Sequence, residues 1–341
     1  MSGTSLDGLD LCVAEFTREG NRWAFNILSS ETVKYSPEWQ HKLKTAHTLK
    51  EGELENLDKE LSAYIGQKVH DHLQTNHITD VELVGSHGHT VFHQPEKGYT
   101  LQIGNRPEIR EAAGLPVVCD FRKADVELGG QGAPLVPIGD ALLFSDYDVC
   151  LNLGGFANLS LEENGLRTAW DICPMNIGLN YFANKLGLEY DKGGHIAASN
   201  PMDGRVWHAL NQLPFYSSEP PKSLGREWFE NEIIPRCDRL TPEESLATLS
   251  GHAAVQIAKT LQEIGAQKVL CTGGGAYNKH IMSLIGQSIS GELIVPDKEI
   301  VEYKEALLFG FLGLLKSLGE INVLASVTGA RQDHSSGVIF E

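Results

Sequence analysis

The chain has 341 residues, 41% of them hydrophobic, and a formal net charge of −17 at pH 7. This size suits two domains or one large α/β unit, and the composition is that of a soluble globular protein. The acidic charge argues against DNA or RNA as a partner, because binding a phosphate backbone needs a basic face. Six scattered cysteines without a C-x-x-C pair indicate neither a zinc site nor a disulfide framework. Neither a signal peptide nor a long apolar span is recognised, so we expect a cytoplasmic protein without a membrane partner.

The chain opens on a loop rich in glycine and hydroxyl groups, Met1-Ser-Gly-Thr-Ser-Leu-Asp-Gly-Leu-Asp10, which leads into a strand. Glycine backbone and hydroxyl groups suit an anion, and a carboxylate beside them needs a cation between itself and a phosphate. The loop therefore predicts a nucleotide phosphate with Mg²⁺ held at Asp7 through water. It is not a Walker A loop, because no Gly-Lys-Ser/Thr follows, and an ordinary turn is the alternative. The predicted nucleotide-binding residues here are Gly3, Thr4, Ser5, Leu6, Asp7, Gly8, Leu9 and Asp10.

The next elements alternate between strands and helices. Residues 9–34 predict two or three strands with a turn at 19–21, and residues 37–47 predict a short helix. Residues 53–76 carry apolar side chains at three- and four-residue spacing, which predicts an amphipathic helix of about six turns. A strand at 81–85 leads into Ser86-His-Gly-His-Thr90. His87 and His89 lack a third metal ligand at suitable spacing, so hydrogen bonding to a polar small molecule is favoured over a metal site or a solvated turn.

A buried strand at 116–119 ends in Asp120-Phe-Arg-Lys-Ala-Asp125. Charged residues at the carboxyl end of a strand in an open α/β sheet stand where ligands bind. Arg122 suits an anionic group such as a carboxylate, because its guanidinium is planar and always charged. The following run, Leu128-Gly-Gly-Gln-Gly-Ala-Pro134, is the most loop-like stretch, and we place the crossover between two domains there.

The second half repeats the opening pattern of strand, glycine turn and strand, with the turn at Gly154 and Gly155. This pattern suggests a duplicated fold with a nucleotide between the halves. Asp171 ends a short strand before a helix expected at about 174–187; it is placed equally well to act as a base or to cap that helix. A helix is predicted at 242–264, and a strand at 268–272 ends in Gly273, Gly274 and Gly275, a platform for adenine or ribose. A last helix is predicted at 305–318, with Glu305 in its first turn.

Several motifs in this order resemble those of anhydro-N-acetylmuramic acid kinases over essentially the whole chain. They are the opening loop, Ser86-His-Gly-His-Thr90, Thr100-Leu-Gln-Ile-Gly104, Asp120-Phe-Arg122, Gly129-Gly-Gln-Gly-Ala-Pro-Leu135, Asn152-Leu-Gly-Gly-Phe-Ala-Asn158, Gly225-Arg-Glu227, Gly273-Gly-Gly275 and Glu305-Ala-Leu307. The resemblance implies an α/β, two-domain actin-like ATPase fold of the sugar kinase/Hsp70 type, with a central cleft. We divide the chain into an N-terminal domain at 1–128 and a C-terminal nucleotide-binding domain at 129–330, with the tail 331–341 returning to the first. The resemblance also implies ATP and Mg²⁺, cytoplasmic recycling of peptidoglycan sugars, and a homodimer.

The implied reaction opens the 1,6-anhydro bridge of the sugar with water and phosphorylates the freed oxygen from ATP. Asp171 matches the family's base, and the glycine turns would hold the nucleotide. The implied sugar contacts are His87, Thr90, Arg122 and Glu305.

Two departures from the family pattern bear on this expectation. The apolar strand that normally precedes the opening loop is missing, and Asp171-Ile-Cys-Pro-Met-Asn176 stands where members often have Asp-Thr-Gly-Pro-Gly-Asn. Two alternatives therefore stay open: an ordinary sugar kinase of the same fold, and a non-catalytic regulator that binds sugar or nucleotide.

Overall fold

The structure is a computed structural model that describes residues 1–3 and 6–341. The chain divides into two compact units, unit 1 of residues 1–143 with 303–341, and unit 2 of residues 144–302. The changes between units lie at 143/144 and 302/303, whereas the sequence-based domain boundaries lie at 128/129 and 330/331. The predicted boundaries at 128/129 and 330/331 refer to independently folding domains, and they stay a prediction.

The first part of unit 1 contains two antiparallel ribbons and a set of helices. β1 pairs with β2 in one ribbon and β4 with β5 in the other, while β3 runs parallel to β6. The strands are β1 (Gly8–Glu19), β2 (Arg22–Lys34), β3 (Val84–Gly85), β4 (His89–Gln94), β5 (Tyr99–Ile103) and β6 (Val117–Cys119). The helices are α1 (Pro37–Thr45), α2 (Glu51–Thr75), α3 (Glu108–Ala113), α4 (Lys123–Glu127) and α5 (Pro137–Leu143).

Unit 2 is built on a five-stranded mixed sheet in the order β11-β10-β7-β8-β9. Its strands are β7 (Val149–Leu153), β8 (Phe156–Glu163), β9 (Leu166–Pro174), β10 (Lys268–Thr272) and β11 (Glu292–Ile294). Its helices are α6 (Asn176–Lys185), α7 (His195–Ser199), α8 (Gly204–Asn211), α9 (Arg226–Trp228), α10 (Ile234–Cys237), α11 (Pro242–Ile264) and α12 (Lys279–Ser288). Because β7 and β10 are parallel neighbours, the turns that follow them meet at one edge of the sheet.

The chain returns to unit 1 through α13 (Lys298–Ser317), followed by α14 (Ala325–Thr328) and β12 (Val338–Phe340). β12 pairs antiparallel with β6, so the tail completes a three-stranded sheet in the order β12-β6-β3.

The long helices follow directly from their sequence patterns. In α2, Leu57, Leu61 and Ile65 recur at helical spacing and are all buried, as the periodicity predicts. α11 begins with a capping box in which Thr241 accepts from the backbone of Glu244, and it ends at a left-handed glycine. Within the described residues, no helix combines the length and hydrophobicity needed to cross a membrane.

Two predicted helix starts are wrong. Each difference changes where a candidate site residue lies within its strand or helix. β9 continues through Pro174 and α6 begins only at Asn176, so Asp171 lies inside a strand and not at a helix start. α13 begins at Lys298, so Glu305 lies about two turns into the helix rather than in its first turn.

Candidate functional site

The opening turn of unit 1 is the predicted phosphate loop. The Leu6 N–H donates to the Gly3 carbonyl at 3.4 Å, and the exposed Asp7 carboxylate accepts from the Gly8 N–H at 3.1 Å. Gly8 already belongs to β1, where an added Cβ would lie 2.8 Å from the Val33 carbonyl oxygen. Close strand packing therefore accounts for the glycine at position 8 without a phosphate.

The other predicted residues of this loop differ in what they offer a ligand. Leu9 is 1% exposed and packs in the core of unit 1, so only its backbone is available. Asp10 is half-buried in β1, and its Oδ1 accepts from the Thr32 hydroxyl at 2.6 Å. Thr4 and Ser5 lie outside the described residues.

Arg122 and His87 form one hydrogen-bonded pair in unit 1. The Arg122 Nε–H donates to His87 Nε2 at 2.8 Å, so His87 Nδ1 carries the proton and donates to the Gly88 carbonyl at 3.1 Å. Burial and the nearby guanidinium hold the pKa of His87 well below its ordinary value, so the ring is neutral. His87 is 3% exposed, and its effect on a bound sugar would therefore run through Arg122.

The glycine-rich run after α4 holds the other side of Arg122. Arg122 Nη1 donates to the Gly132 carbonyl at 3.0 Å. The Gly132 N–H in turn donates to Asp125 Oδ2 at 2.6 Å, and Asp125 Oδ1 accepts from the Thr328 hydroxyl at 2.7 Å. Gly130 must lack a side chain, because its Cβ would overlap the Asp125 carboxylate. The run 129–132 is thus anchored by a fully buried carboxylate, which fixes the carbonyl that orients Arg122.

Glu305 and Thr90 are the remaining sugar-contact candidates. Glu305 lies on α13; desolvation by the surrounding protein raises the pKa of its carboxyl group, and the nearby Arg122 guanidinium partly offsets the rise. Thr90 is half-buried in β4, and Gln102 Nε2 donates to its hydroxyl at 3.5 Å.

The geometry gives no support to a metal site at the two histidines. His89 is buried, its Nδ1 lies 3.1 Å from the Ser2 hydroxyl, and burial lowers its pKa to about 4. Among the described residues, no group of three or more His, Cys, Asp or Glu side chains is arranged to hold a metal ion.

In unit 2, the turn at Gly154 and Gly155 adjoins the start of α6. The Gly154 carbonyl accepts from the Asn176 N–H at 3.2 Å, and the Gly155 carbonyl accepts from the Met175 N–H at 2.9 Å. The first N–H groups of α6 are thereby satisfied by the turn itself. Gly155 is exposed, and no atom lies within 4 Å of where its Cβ would stand.

The three glycines after β10 pack against the end of β7. A Cβ on Gly273 would lie 2.6 Å from Asn152 Oδ1, and one on Gly275 would lie 2.7 Å from the Leu153 carbonyl oxygen. Gly274 stays exposed between them. Bare backbone at Gly273 and Gly275 is therefore required for this turn to pack against the end of β7, whereas the predicted platform for adenine or ribose stays a prediction.

A polar row crosses the sheet of unit 2 beside these turns. Thr272 of β10 is paired with Asn152 of β7, Asn152 with Asn158 of β8, and Asn158 with Asp171 of β9. Directly paired residues share one face of a sheet, so the row brings two amides beside the candidate base. Neither asparagine is among the predicted site residues, although their positions on either side of the Gly154–Gly155 turn could have suggested a role.

The Asp171 carboxylate is fixed by a segment that follows α8. Its Oδ2 accepts from the Leu224 N–H at 2.7 Å, and its own N–H donates to the Lys222 carbonyl at 3.0 Å. The helix-capping interpretation is therefore wrong, because the acceptor serves this segment and not α6. Burial raises the pKa of Asp171 above its ordinary value, and the bond from Leu224 partly opposes the rise. A half-buried carboxylate with a raised pKa is suited to accept a proton.

Comparison with known proteins identifies the relatives of the chain. A family model for anhydro-N-acetylmuramic acid kinase matches residues 1–341. The chain is 33% identical over 357 residues to the anhydro-N-acetylmuramic acid kinase of Thiobacillus denitrificans, covering 99% of this chain and 95% of that protein. It is 33% identical over 360 residues to the enzyme of the same name from Nitrosospira multiformis, covering 100% and 97%. Among solved structures, a ROK family glucokinase from Streptomyces griseus in complex with glucose and AMPPNP is similar with a TM-score of 0.38, at 13% identity over 89% of this chain and 99% of that one.

The full-length family match and the two-unit α/β architecture define the class of this protein, which is a sugar kinase. More narrowly, the chain belongs to the anhydro-N-acetylmuramic acid kinase family.

Proposed function

We propose that this kinase opens the 1,6-anhydro bridge of anhydro-N-acetylmuramic acid with water and transfers the γ-phosphoryl group of ATP to the freed O6. The product is N-acetylmuramic acid 6-phosphate, an intermediate in the recycling of cell-wall sugars. The bond from the anomeric carbon to the bridging oxygen breaks, and a bond from that carbon to the water oxygen forms. The attacking water gives up a proton to the base. The bridging oxygen becomes O6 and attacks the γ-phosphorus, whose bond to the β–γ bridging oxygen breaks, so that ADP leaves.

The setting of the Asp171 carboxylate is the observation that carries this proposal. Water is a poor nucleophile, so a base must accept its proton as it attacks the anomeric carbon. Asp171 has a raised pKa, which makes it a better proton acceptor than an ordinary aspartate. Its hydrogen bond from Leu224 uses Oδ2 and fixes the direction of the carboxylate. An ordinary sugar kinase would use the same group to deprotonate a sugar hydroxyl, and this remains the second candidate.

The exposed backbone at Gly155 and Gly274 supports nucleotide binding at the converging turns of unit 2. Donors aimed at the transferring phosphoryl group stabilise the charge that it carries in the transition state. Within unit 1, the predicted phosphate loop consists of the described residues Gly3, Leu6, Asp7 and Gly8 together with Thr4 and Ser5, and we propose it separately as a phosphate-binding turn.

Beside the opening turn of unit 1, the carboxylates of Asp7 and Asp10 have the donor chemistry for Mg²⁺. Kinase sites commonly hold Mg²⁺ with one or two carboxylates, water and substrate phosphates, so two carboxylates near one loop fit without a third ligand. When bound, Mg²⁺ would neutralise phosphate charge. The exposed Asp7 suits a contact through water.

Arg122 is the residue that we assign to the carboxylate of the sugar's lactyl group. A guanidinium held from two sides by His87 and Gly132 has little rotamer freedom left to lose on binding. Glu305 and Thr90 are further candidates for the sugar's polar groups. We also propose a cytoplasmic homodimer, for which light scattering after gel filtration is the test of oligomeric state.

Phosphate transfer from ATP, measured with the purified protein on a panel of sugars, tests the proposed function. Anhydro-N-acetylmuramic acid should be phosphorylated, whereas N-acetylglucosamine and free N-acetylmuramic acid should react far more slowly. Comparable turnover of the free sugars would favour the ordinary kinase, and no turnover of any sugar would refute both.

A further inference from the structure

The segment that holds Asp171 is itself fastened by one lysine. Lys222 Nζ donates to the Phe215 carbonyl at 3.1 Å and to the Ser218 carbonyl at 2.8 Å. The ammonium also lies 4.9 Å from the centroid of the Phe215 ring. Lys222 is half-buried, and burial lowers its pKa. These contacts close residues 215–222 into a loop around the ammonium.

The same lysine contacts Asp171 through its backbone. The Lys222 carbonyl accepts the Asp171 N–H, and two residues further on the Leu224 N–H donates to the Asp171 carboxylate. The side chain of Lys222 therefore ties down one end of a short segment whose other end holds the carboxylate.

We propose that Lys222 is a positioning residue for Asp171: its ammonium fixes the backbone from which Leu224 donates to the carboxylate. This inference rests on the proposed function, in which Asp171 is the base. It assigns a role in the reaction to a residue that needs no contact with the sugar or the nucleotide.

A buried polar network holds the other end of the 215–222 loop, so the carbonyls that bind the Lys222 ammonium are themselves fixed in place. Tyr216 lies next to Phe215, and its hydroxyl donates to His252 Nε2 at 2.7 Å. His252 Nδ1 donates to Asn211 Oδ1 at 2.7 Å, which fixes the tautomer because that oxygen only accepts. His252 lies on α11 and Asn211 on α8, so two helices hold the loop in place.

The titratable groups closest to Asp171 are neutral near pH 7, so the acidic limb of the pH profile can be attributed to Asp171 itself. Burial raises the pKa of the Cys173 thiol and of the Tyr216 phenol and lowers the pKa of His252 to about 3, so these three are neutral near pH 7. The residue opposite Asp171 on β8 is the uncharged Asn158. The charged groups that face the Lys222 ammonium are Glu219, Glu263 and Lys259.

The test compares Lys222→Met with Lys222→Arg and with a control, Lys259→Met. Methionine keeps the length and apolar stem of lysine but cannot donate to the two carbonyls, whereas arginine can. Lys259 also faces Lys222 and forms an ion pair with Glu263 at 3.7 Å on α11. Its loss removes a nearby positive charge while the two bonds to the loop carbonyls remain.

Two readouts are measured on each variant: the pH dependence of kcat/KM for the anhydro sugar, and the hydrogen exchange of the Leu224 amide. In Lys222→Met, we expect the Leu224 amide to exchange faster and the acidic limb of the profile to move up by about one pH unit, because a donor to the charged carboxylate is weakened. The plateau value of kcat/KM should fall roughly 10-fold, because the carboxylate base is no longer held in position. Lys222→Arg should restore most of the slow exchange at Leu224 and most of the wild-type pH profile. Lys259→Met should match the wild type in both readouts.

Unchanged exchange at Leu224, or an acidic limb that stays at the wild-type pH while the rate falls, would overturn the inference. The second pattern is what a merely structural lysine would give. Failure of the proposed function looks different. If Asp171→Asn keeps full turnover while the Leu224 amide still exchanges faster in Lys222→Met, Asp171 is not the base. Lys222 would then still fix the backbone of the segment that holds Asp171.

Discussion

At the scale of single residues, the carboxyl group of Asp171 has the most direct consequence. Asp171→Asn keeps an oxygen that can accept from the Leu224 N–H, but it removes the basicity. Turnover should fall by about 10² to 10⁴-fold, while affinity for Mg·ATP stays close to wild type and the melting temperature is not lowered. Steady-state kinetics, calorimetric titration and thermal melting measure the three quantities.

Asp203→Asn is the matched control for that substitution. Asp203 accepts from the N–H groups of Arg205 and Val206 at the start of α8, and asparagine caps a helix as well as aspartate. Its turnover should match the wild type. An Asp171→Asn protein as active as this control would remove Asp171 from the mechanism.

The raised pKa of Asp171 also predicts how stability changes with pH. An unfolded aspartate titrates near pH 3.9, so the folded state binds more protons than the unfolded state between that pH and its own higher pKa. Stability contributed by this group therefore falls as pH rises through that window. The melting temperature of Asp171→Asn minus that of the wild type should increase from about pH 4 upward. The difference should become constant above the folded-state pKa of Asp171. A difference that shrinks with rising pH would contradict the assigned shift.

Residue identity alone predicted the Asp171 candidate but not what surrounds it. A carboxylate before a Pro and an Asn suggested either a base or a cap. The choice between them depends on the Leu224 N–H, which lies 53 residues further along the chain. Likewise His87 suggested a ligand contact, whereas its partner Arg122 lies 35 residues away. Hydrogen bonds over such separations have no signature in a single sequence.

At the scale of elements, the turn between β7 and β8 can be tested with one added methyl group. Gly155→Ala has open space for its Cβ, so the fold should keep its melting temperature. If phosphate approaches this backbone, affinity for Mg·ATP should fall at least several-fold in a calorimetric titration.

Gly204→Ala is the comparison for that experiment, since its Cβ also meets nothing within 4 Å and it lies in the same unit, at the start of α8. Its nucleotide affinity should be that of the wild type. Equal affinities for the two variants would mean that this turn is only structural.

The glycine-rich run 129–132 should behave as an anchored element. Asp125→Ala leaves the Gly132 N–H and the Thr328 hydroxyl without their buried acceptor. The free energy of unfolding should fall by about 3 kcal/mol, measured by urea denaturation. A change within 0.5 kcal/mol, which is roughly what surface substitutions give, would mean that the run is not held by Asp125.

Element-level prediction succeeded where the pattern was local. The apolar spacing of α2 and the Pro start of α11 are visible in the sequence, and the helices form at Glu51–Thr75 and Pro242–Ile264. The run 128–134 was interpreted as a crossover between domains because its composition is typical of a loop. Within this run, the Gln131 N–H donates to the Thr328 carbonyl at 2.8 Å. Composition could not reveal a bond to a residue so distant along the chain.

At the scale of the whole molecule, the order of motifs along the chain predicted the family, and the match over residues 1–341 confirms it. The mixed α/β architecture in two units is also as expected. The position at which the chain passes from one unit to the other was harder to predict. α13 begins in unit 2 and ends in unit 1, so no loop marks the second change.

The central claim is that water opens the anhydro bridge before or as the phosphoryl group is transferred. The most direct measurement is mass spectrometry of the product formed from ATP and anhydro-N-acetylmuramic acid in ¹⁸O-labelled water, stopped before the free anomeric hydroxyl exchanges. We expect one ¹⁸O at the anomeric carbon of the sugar and ordinary oxygen between C6 and phosphorus. A phosphorylated product without the label, or with the label at O6, would contradict it.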